Sequence, residues 1–160
     1  MAVAEILGAA VGVLLLVVVA YMLVGGTLTA GETVVTAQKD ITLMQEARLR
    51  SSISIYDIEI AGNDLNLNVT NDGNEMISNL PHMDVFSFDA TNGYIHYVYD
   101  STNSGTTGTW SVTGFENDLI HAGQLDPGVN MSIKAVFPAG ATPVSVQVTT
   151  GNGVSAISNI

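Results

Sequence analysis

The first part of this chain is dominated by an apolar run at residues 6–26: Ile6-Leu-Gly-Ala-Ala-Val-Gly-Val-Leu-Leu-Leu-Val-Val-Val-Ala-Tyr-Met-Leu-Val-Gly-Gly26. The stretch contains no charged side chain, and Glu5 immediately precedes it. At about 1.5 Å per residue, a helix of this length is roughly 30 Å long, the thickness of the hydrocarbon core of a bilayer. A water-soluble domain does not expose such a surface. We therefore predict a helix that lies in a membrane or in a bundle of identical helices.

A cleaved signal peptide is the alternative interpretation of this run. Signal peptides carry a basic segment, then a short apolar core, then a small-x-small cleavage site. Here no Lys or Arg precedes the run, and the next cation is Lys39. The apolar stretch is also longer than the apolar core of a typical signal peptide, although Thr29-Ala30-Gly31 offers small residues for cleavage. We expect the helix to be retained.

A second helical pattern follows the run, over residues 32–50. Apolar side chains recur there at steps of three and four residues, so that one stripe would lie along a helix. Arg48 and Arg50 fall in its last turn, where the helix dipole favours cations. Residues 1–51 are therefore predicted to form one long helix or two stacked helices. The stripe consists of Val34, Ala37, Ile41, Met44, Ala47 and Arg48.

From residue 52 onward the period changes to that of β-strands. Leu65–Thr70 alternates apolar and polar side chains, and Gly62-Asn63-Asp64 before it has the composition of a hairpin turn. Residues 53–60 alternate in the same way, with one phase slip. Seven to nine short strands separated by turn residues predict an antiparallel sandwich or barrel. The other candidate strands are Met83–Phe88, Tyr94–Tyr99, Gly108–Val112, Leu119–His121, Asn130–Phe137, Val144–Thr150 and Val154–Ile157.

The predicted fold class is α+β, with a long N-terminal hydrophobic helix over residues 1–51 and an antiparallel, pilin-like β-sandwich head over residues 52–160. The net charge of the chain also differs between these two regions. Residues 1–51 carry a net charge of −1, whereas residues 52–160 carry −10, from eleven acidic side chains against Lys134. Such a head repels nucleic acid phosphates and anionic lipid headgroups. The chain has no cysteine, which excludes disulfides, thiolate metal sites and cysteine nucleophiles.

The sequence shows no pattern typical of an enzyme. His82, His96 and His121 lie on different predicted elements and have no metal-ligand spacing. The nucleophile motif G-x-S-x-G, the Walker A loop and the dinucleotide motif G-x-G-x-x-G do not occur. We therefore expect no catalytic residue and no cofactor.

Oxygen-bearing side chains lie close together on one predicted strand. Asp64, Asn66 and Asn68 share a strand face, and an Asx-rich segment, residues 71–75, follows. Carboxylate and carboxamide oxygens suit calcium, but the spacing is not that of an EF-hand loop. A polar strand face that runs into a turn explains the pattern better, so we expect no metal site.

Two sequons mark candidate glycosylation sites, Asn68-Val69-Thr70 and Asn130-Met131-Ser132. Alternation places Asn66, Asn68 and Thr70 on the strand face opposite Leu65, Leu67 and Val69. A sugar on Asn68 would therefore face solvent.

The first turns of the apolar helix carry the candidate assembly residues. Ala4, Gly8 and Gly12 recur at four-residue steps, and small residues at this spacing let another helix approach closely. Glu5 lies one turn into the helix, where the dipole favours a negative charge. If that end is buried, the carboxylate needs a partner such as the α-amino group of a neighbouring subunit. A plain membrane anchor with a hydrated Glu5 is the alternative.

Together these features resemble the type IV pilin superfamily. In that superfamily a helix that is apolar in its first half and amphipathic in its second precedes a β-rich head, and a glutamate occupies the fifth mature position. Met1 and Glu5 match if numbering starts at the mature end. The head resembles archaellum accessory proteins of the F and G type at Leu67-Asn-Val-Thr-Asn-Asp-Gly73, at Met83-Asp-Val-Phe86 and at Leu125-Asp-Pro-Gly128.

The resemblance implies an archaeal, non-enzymatic envelope or filament protein whose N-terminus is inside and whose head is outside. Lys39, Arg48 and Arg50 follow the apolar run, and the positive-inside rule alone favours the opposite orientation. These cations lie well beyond the membrane-length segment, and we expect the head outside.

Two hypotheses follow. In the first, the chain is the structural subunit of an archaeal type IV pilin-like filament. It is inserted in the cytoplasmic membrane before assembly and then forms a homo-oligomer with a helical core and an acidic exterior. In the alternative, it is a membrane-anchored archaellum accessory protein whose β-domain binds the surface-layer protein or the filament base. Neither hypothesis involves nucleic acid.

Overall fold

The structure is a computed structural model that describes residues 2–160. Met1, which the resemblance places at the mature N-terminus, lies outside the described residues. The chain divides into two compact units, one ending at Met44 and the other running from Gln45 to Ile160. The C-terminal end of the helix therefore folds with the strands, while the predicted domain boundary at residue 51 stays a prediction.

The first described element is one α-helix, α1 (Ala2–Arg50), of 49 residues. It covers both helical patterns of the sequence without interruption, so the prediction of one long helix is confirmed. Glu5 lies in its first turn, and Arg48 and Arg50 lie in its last turn, as the helix dipole favours.

Within the described residues the head contains eight strands and one short 3-10 helix, Leu80–His82. The number of strands falls within the predicted range. They are β1 (Ile53–Ala61), β2 (Asp64–Asn71), β3 (Asp84–Asp89), β4 (Gly93–Tyr99), β5 (Thr109–Glu116), β6 (Asn130–Val136), β7 (Pro143–Thr149) and β8 (Ser155–Asn159).

The strands follow the order β1-β2-β6-β5-β4-β3-β7-β8, and every neighbouring pair is antiparallel except β4 with β5. That parallel pair is short, with Val98 opposite Thr109 and Tyr99 opposite Trp110. We call β1-β2-β6-β5 half-sheet 1 and β4-β3-β7-β8 half-sheet 2. The predicted α+β class with an antiparallel β-sandwich is confirmed.

The core lies between the two half-sheets and draws on both. Buried side chains alternate with more exposed ones along β2, β3 and β6, so one face of each half-sheet is buried. The prediction for β2 is confirmed, because Leu65, Leu67 and Val69 are at most 2% exposed. The other fully buried large apolar side chains are Val85, Tyr97, Trp110, Leu125, Met131, Ile133, Val146 and Val148.

Two local predictions for β1 are also confirmed. The phase slip is an irregularity in the pairing with β2 between Tyr56 and Glu59, where Asp57 has a φ of 49°. The hairpin turn consists of Gly62 and Asn63, with Ala61 paired to Asp64.

The prediction of a strand at Leu119–His121 is wrong. The segment lies in the loop between β5 and β6. The N–H of Gly123 donates to Asp118 Oδ2 at 2.8 Å, and the N–H of His121 donates to Asp126 Oδ2 at 3.1 Å. These side-chain acceptors bend the backbone into a loop in place of ladder hydrogen bonds.

Candidate functional site

The apolar side chains of α1 are the first candidate for a functional surface. From Val3 to Leu28, the exposed fractions of the large apolar side chains run from 44% at Val18 to 82% at Tyr21. The helix is long and apolar enough to cross a membrane, with a mean hydropathy of 2.8 over its most apolar window. Since water does not solvate such a surface favourably, this segment needs lipid or other apolar helices around it.

The three predicted assembly residues all lie on this helix. Glu5 is exposed, and a Cβ atom built on Gly8 or Gly12 would meet nothing within 4 Å in the described chain. Both glycines therefore leave room for a neighbouring helix. Their role in assembly stays a prediction.

The C-terminal end of α1 is fixed to a turn of the head. The N–H of Asn74 donates to the carbonyl oxygen of Arg50 at 2.8 Å. The N–H groups of Asp72 and Gly73 donate to the carbonyl oxygen of Ser52 at 2.9 and 3.1 Å. A Cβ atom on Gly73 would lie 2.5 Å from the backbone nitrogen of Ser52, closer than packed atoms come. Only glycine permits this contact.

A second turn holds the residue that follows α1. Ser51 Oγ donates to the carbonyl oxygen of Ala47 at 2.8 Å, and Asn152 Nδ2 donates to Ser51 Oγ at 2.7 Å. Asn152 belongs to the turn between β7 and β8. The end of the helix is therefore held from two sides. We call the three segments involved the junction: residues 50–52, residues 71–75 and residues 150–153.

Asn71 organises the first of these turns. Its side chain is fully buried. Nδ2 donates to the carbonyl oxygens of Glu75 and Leu125, both at 2.8 Å, and Oδ1 accepts from the N–H of Gly73 at 3.0 Å. The sequence identified this segment as an Asx-rich turn that ends β2, but it gave no sign that the turn holds the helix. The partners are far apart in the chain, so no local pattern marks the contact.

The two sequons form a single cross-strand arrangement. Asn68 on β2 pairs with Ser132 on β6, and Thr70 pairs with Asn130. Ser132 Oγ donates to Asn68 Oδ1 at 2.8 Å, and Thr70 Oγ1 donates to Asn130 Oδ1 at 2.9 Å. The hydroxyl of each sequon thus binds the asparagine of the other. All four side chains are half-buried on the face opposite the core, and glycosylation at Asn68 or Asn130 stays a prediction.

The histidines form two separate pairs with aspartates. His96 Nε2 lies 3.1 Å from Asp84 Oδ1, and His121 Nδ1 lies 3.0 Å from Asp126 Oδ1. Within residues 2–160, neither pair has a serine or threonine hydroxyl as a third member. The same residues contain no group of three or more histidine or carboxylate side chains that could hold a metal ion. In each pair the aspartate contacts one ring nitrogen and orients the imidazole.

Comparison with known proteins gives matches among solved structures. No protein-family model and no curated protein sequence matches the chain. The archaellum periplasmic stator protein complex of FlaF and FlaG from Sulfolobus acidocaldarius is similar with a TM-score of 0.52 and 20% identity, over 68% of this chain and 87% of that chain. The archaellum periplasmic stator protein FlaG from the same organism is similar with a TM-score of 0.51 and 21% identity, over 69% of this chain and 99% of that chain.

The two structures cover 68% and 69% of this chain, which is about the fraction of the chain that residues 52–160 make up. The resemblance to archaellum accessory proteins of the F and G type, stated from short motifs, is confirmed at the level of fold. This chain therefore shares its fold with the archaellum stator proteins FlaF and FlaG.

Proposed function

We propose that this chain is a non-enzymatic, membrane-anchored accessory protein of an archaellum. Residues 3–28 of α1 cross the cytoplasmic membrane, and the acidic head lies outside it. The single observation that carries the proposal is the shared fold, which extends over almost the whole length of a protein described as a periplasmic stator. A stator is a stationary part of a motor and has to be attached to the envelope.

The junction supports a stationary role for this chain. Backbone hydrogen bonds from Asn74, Asp72 and Gly73 hold the end of α1, so the link from helix to head is a hydrogen-bonded connection rather than a flexible linker. Flexible linkers are rich in Gly and Ser and lack such contacts. A head connected in this way resists a pull on the helix without first extending a slack segment.

The filament-subunit hypothesis remains as the second candidate, because one observation favours it. α1 is about 74 Å long, more than twice the thickness of a bilayer core. Val34, Ile41 and Met44, beyond the membrane-length run, are more than half exposed. A core of identical helices would cover these side chains as well as the stripe of Gly8 and Gly12.

Fractionation of the source cells tests the two candidates against each other. Filaments are sheared from the cells, and the chain is quantified by mass spectrometry in filaments and in washed membranes. An accessory protein stays in the membranes, and deletion of its gene abolishes swimming while filaments are still made. If the chain is the major component of the sheared filaments, the accessory proposal is wrong.

Orientation and the assembly residues have their own tests. Protease added to spheroplasts digests the head if it lies outside the membrane; a head that is digested only after lysis contradicts the proposed orientation. For assembly, Gly8→Leu and Glu5→Ala are compared with Ala10→Leu, which places a leucine side chain on another side of the helix. Loss of filaments in the first two variants alone favours the subunit hypothesis.

A further inference from the structure

The outer face of half-sheet 2 carries an exposed aromatic cluster. Tyr94 is 76% exposed, Val98 61% and Ile157 67%, and Phe88 is also exposed. The strand register places Tyr94, Phe88 and Ile157 in two rows across the sheet, and Val98 lies two residues beyond His96 on β4. One row is His96–Phe86–Gln147–Ile157, and the other is Tyr94–Phe88–Ser145–Asn159. We call Phe86, Phe88, Tyr94, Val98 and Ile157 the aromatic face.

The rings of the aromatic face are held in place. Phe86 stacks on His96 with 4.7 Å between ring centroids, and Phe88 contacts Tyr94 at 5.1 Å. His96 in turn binds Asp84, 3.1 Å away. Ordered rings lose little conformational entropy when they bind, which favours them as contact residues.

Strand β3 places its large apolar rings on the outer face, although it buries polar side chains in the core. Its inward side chains include Ser87 and Asp89, which are both buried, while Phe86 and Phe88 point outward. Ser87 Oγ shares a hydrogen bond of 2.7 Å with the hydroxyl of Tyr97, whose pKa is raised by burial. Asp89 accepts from the N–H of Thr142. Two polar groups are thus buried and satisfied, while Phe88 is exposed and Phe86 is half-buried on the outer face.

Half-sheet 1 provides the internal comparison. On its two central strands the outer face carries Asn66, Asn68, Thr70, Ser132 and Lys134, the polar set expected of a solvated sheet face, and Tyr56 on β1, opposite Asn68, is half-buried. Because the same chain makes both faces, general composition does not explain the aromatic side chains on half-sheet 2. A contiguous exposed apolar cluster on a soluble domain marks a binding surface.

The size of the aromatic face indicates that it is the centre of a larger interface. Four strands at the usual spacing span roughly 14 Å, whereas a stable interface buries about 800 Å² on each partner. Contacts must therefore extend to the surrounding polar surface, where Asp84 is exposed and Asp100 follows the end of β4. Hydrogen bonds from Ser104 and Thr102 lower the pKa of Asp100, so that it carries a negative charge.

The charge of the head restricts the partner. Residues 52–160 contain eleven acidic side chains and one cation, Lys134, which lies on β6 in half-sheet 1. Arg48 and Arg50 lie in the last turn of α1. A second copy of this head or an anionic lipid surface would bring like charge against the face. We propose that the aromatic face binds a protein partner whose apolar contact site is surrounded by Lys and Arg. The inference needs from the proposed function only that the head is accessible.

Site-specific photocrosslinking tests this inference. Because the chain has no cysteine, a maleimide reagent labels only the cysteine that is introduced. Full-length, affinity-tagged Tyr94→Cys protein in detergent is labelled with benzophenone maleimide. It is irradiated with solubilised envelope from cells that lack the gene. Thr113→Cys, exposed on β5, is the control position. We expect one product at position 94, with at least roughly fivefold lower yield at position 113 and in 1 M salt, where screening shortens the Debye length to about 3 Å.

Mass spectrometry of the crosslinked peptide decides the partner chemistry. A partner segment with net positive charge supports the inference. A second copy, lipid, an acidic segment, equal yield at both positions or no product overturns it. Asp84→Lys should lower the yield at position 94, whereas Glu59→Lys, exposed on β1, should not. If external protease digests the head but no such crosslinked product forms, the result contradicts this inference alone. The proposed location of the head outside the membrane is then still supported.

Discussion

At the scale of single residues, buried polar side chains with complete sets of hydrogen bonds hold the loops of the head. Asn71 uses both donors and its acceptor in the turn that holds α1. Asp89 accepts from the N–H groups of Thr91 and Asn92 and from Thr142. Such groups cost stability when they lose a partner, because burial leaves no water to replace it.

Replacement of Asn71 tests the first of these buried, hydrogen-bonded side chains. Asn71→Ala removes three hydrogen bonds from a buried site and should lower the free energy of unfolding by about 2–4 kcal/mol. Denaturant unfolding of the full-length protein in detergent, followed by the Trp110 fluorescence of the head, measures the change. Asn74→Ala is the control, because Asn74 contributes its backbone N–H to the junction and its side chain is exposed. Equal losses in both variants would contradict the role of the Asn71 side chain.

The lowered pKa of Asp89 leads us to expect that the stability of the fold depends on pH. Backbone N–H donors, first of all that of Thr142, lower its pKa below the ordinary 3.8. Because the folded-state pKa is lower than the unfolded-state pKa, the stabilisation is complete above the unfolded value and is lost as pH falls through the folded value. The free energy of unfolding should therefore exceed that of Asp89→Asn at pH 7, and the difference should shrink below about pH 4. Asp72→Asn, on an exposed side chain, is the control; a constant difference across this range would refute the assignment.

At the scale of elements, the junction is the contact that the helix makes with the turns of its own unit. A glycine is required at residue 73 because backbone atoms of Arg50 and Ser52 lie within 2.6 Å of the position of a Cβ atom. The adjacent donors, the N–H groups of Asp72, Gly73 and Asn74, satisfy carbonyl groups at and just beyond the helix end.

Gly73→Ala should therefore displace the end of α1. The added methyl group meets backbone atoms, which do not move without breaking the junction, and we expect a loss of roughly 2–3 kcal/mol in the free energy of unfolding. Amide hydrogen exchange of residues 72–74 should accelerate. Gly114→Ala on β5 adds the same methyl group where nothing lies within 4 Å, and it should change stability little. A Gly73→Ala protein with wild-type exchange at these amides would show that the contact is not required.

At the scale of the whole molecule, the chain joins two units with opposite solvent preferences. The unit that ends at Met44 exposes apolar side chains, whereas the other buries an apolar core and carries most of the negative charge. This division favours one unit in an apolar environment and the other in water.

Charge inserted into the apolar run tests the anchor. Each arginine at the centre of a spanning helix costs about 2.5–3.5 kcal/mol, so the double variant Leu15→Arg, Val19→Arg should leave the membrane fraction. Extraction of membranes with alkaline carbonate, followed by immunoblotting, measures retention. Thr33→Arg together with Ala37→Arg places the same charges beyond the run and should be retained. Retention of both double variants would mean that residues 3–28 are not the anchor.

Most helices and strands follow from local patterns in the sequence alone. The period of α1, the alternation in β2 and the Gly62-Asn63 hairpin are local properties, because side-chain spacing and turn residues act over a few positions. The sandwich class followed from the number of strands, and the likeness to accessory proteins of the F and G type followed from short motifs. Where side-chain acceptors bent the backbone, at Leu119–His121, local alternation predicted the wrong element.

Which side chains meet, and which face outward, depends on how the strands pack. Alternation in β3 is equally compatible with either face inward, and the hydrogen bonds of Ser87 and Asp89 to other elements fix the choice that places Phe86 and Phe88 on the outer face. The junction and the pairing of the two sequons join residues that are far apart in sequence. Such contacts form only after the strands have packed, so their energies lie in non-local geometry that no short stretch of sequence records.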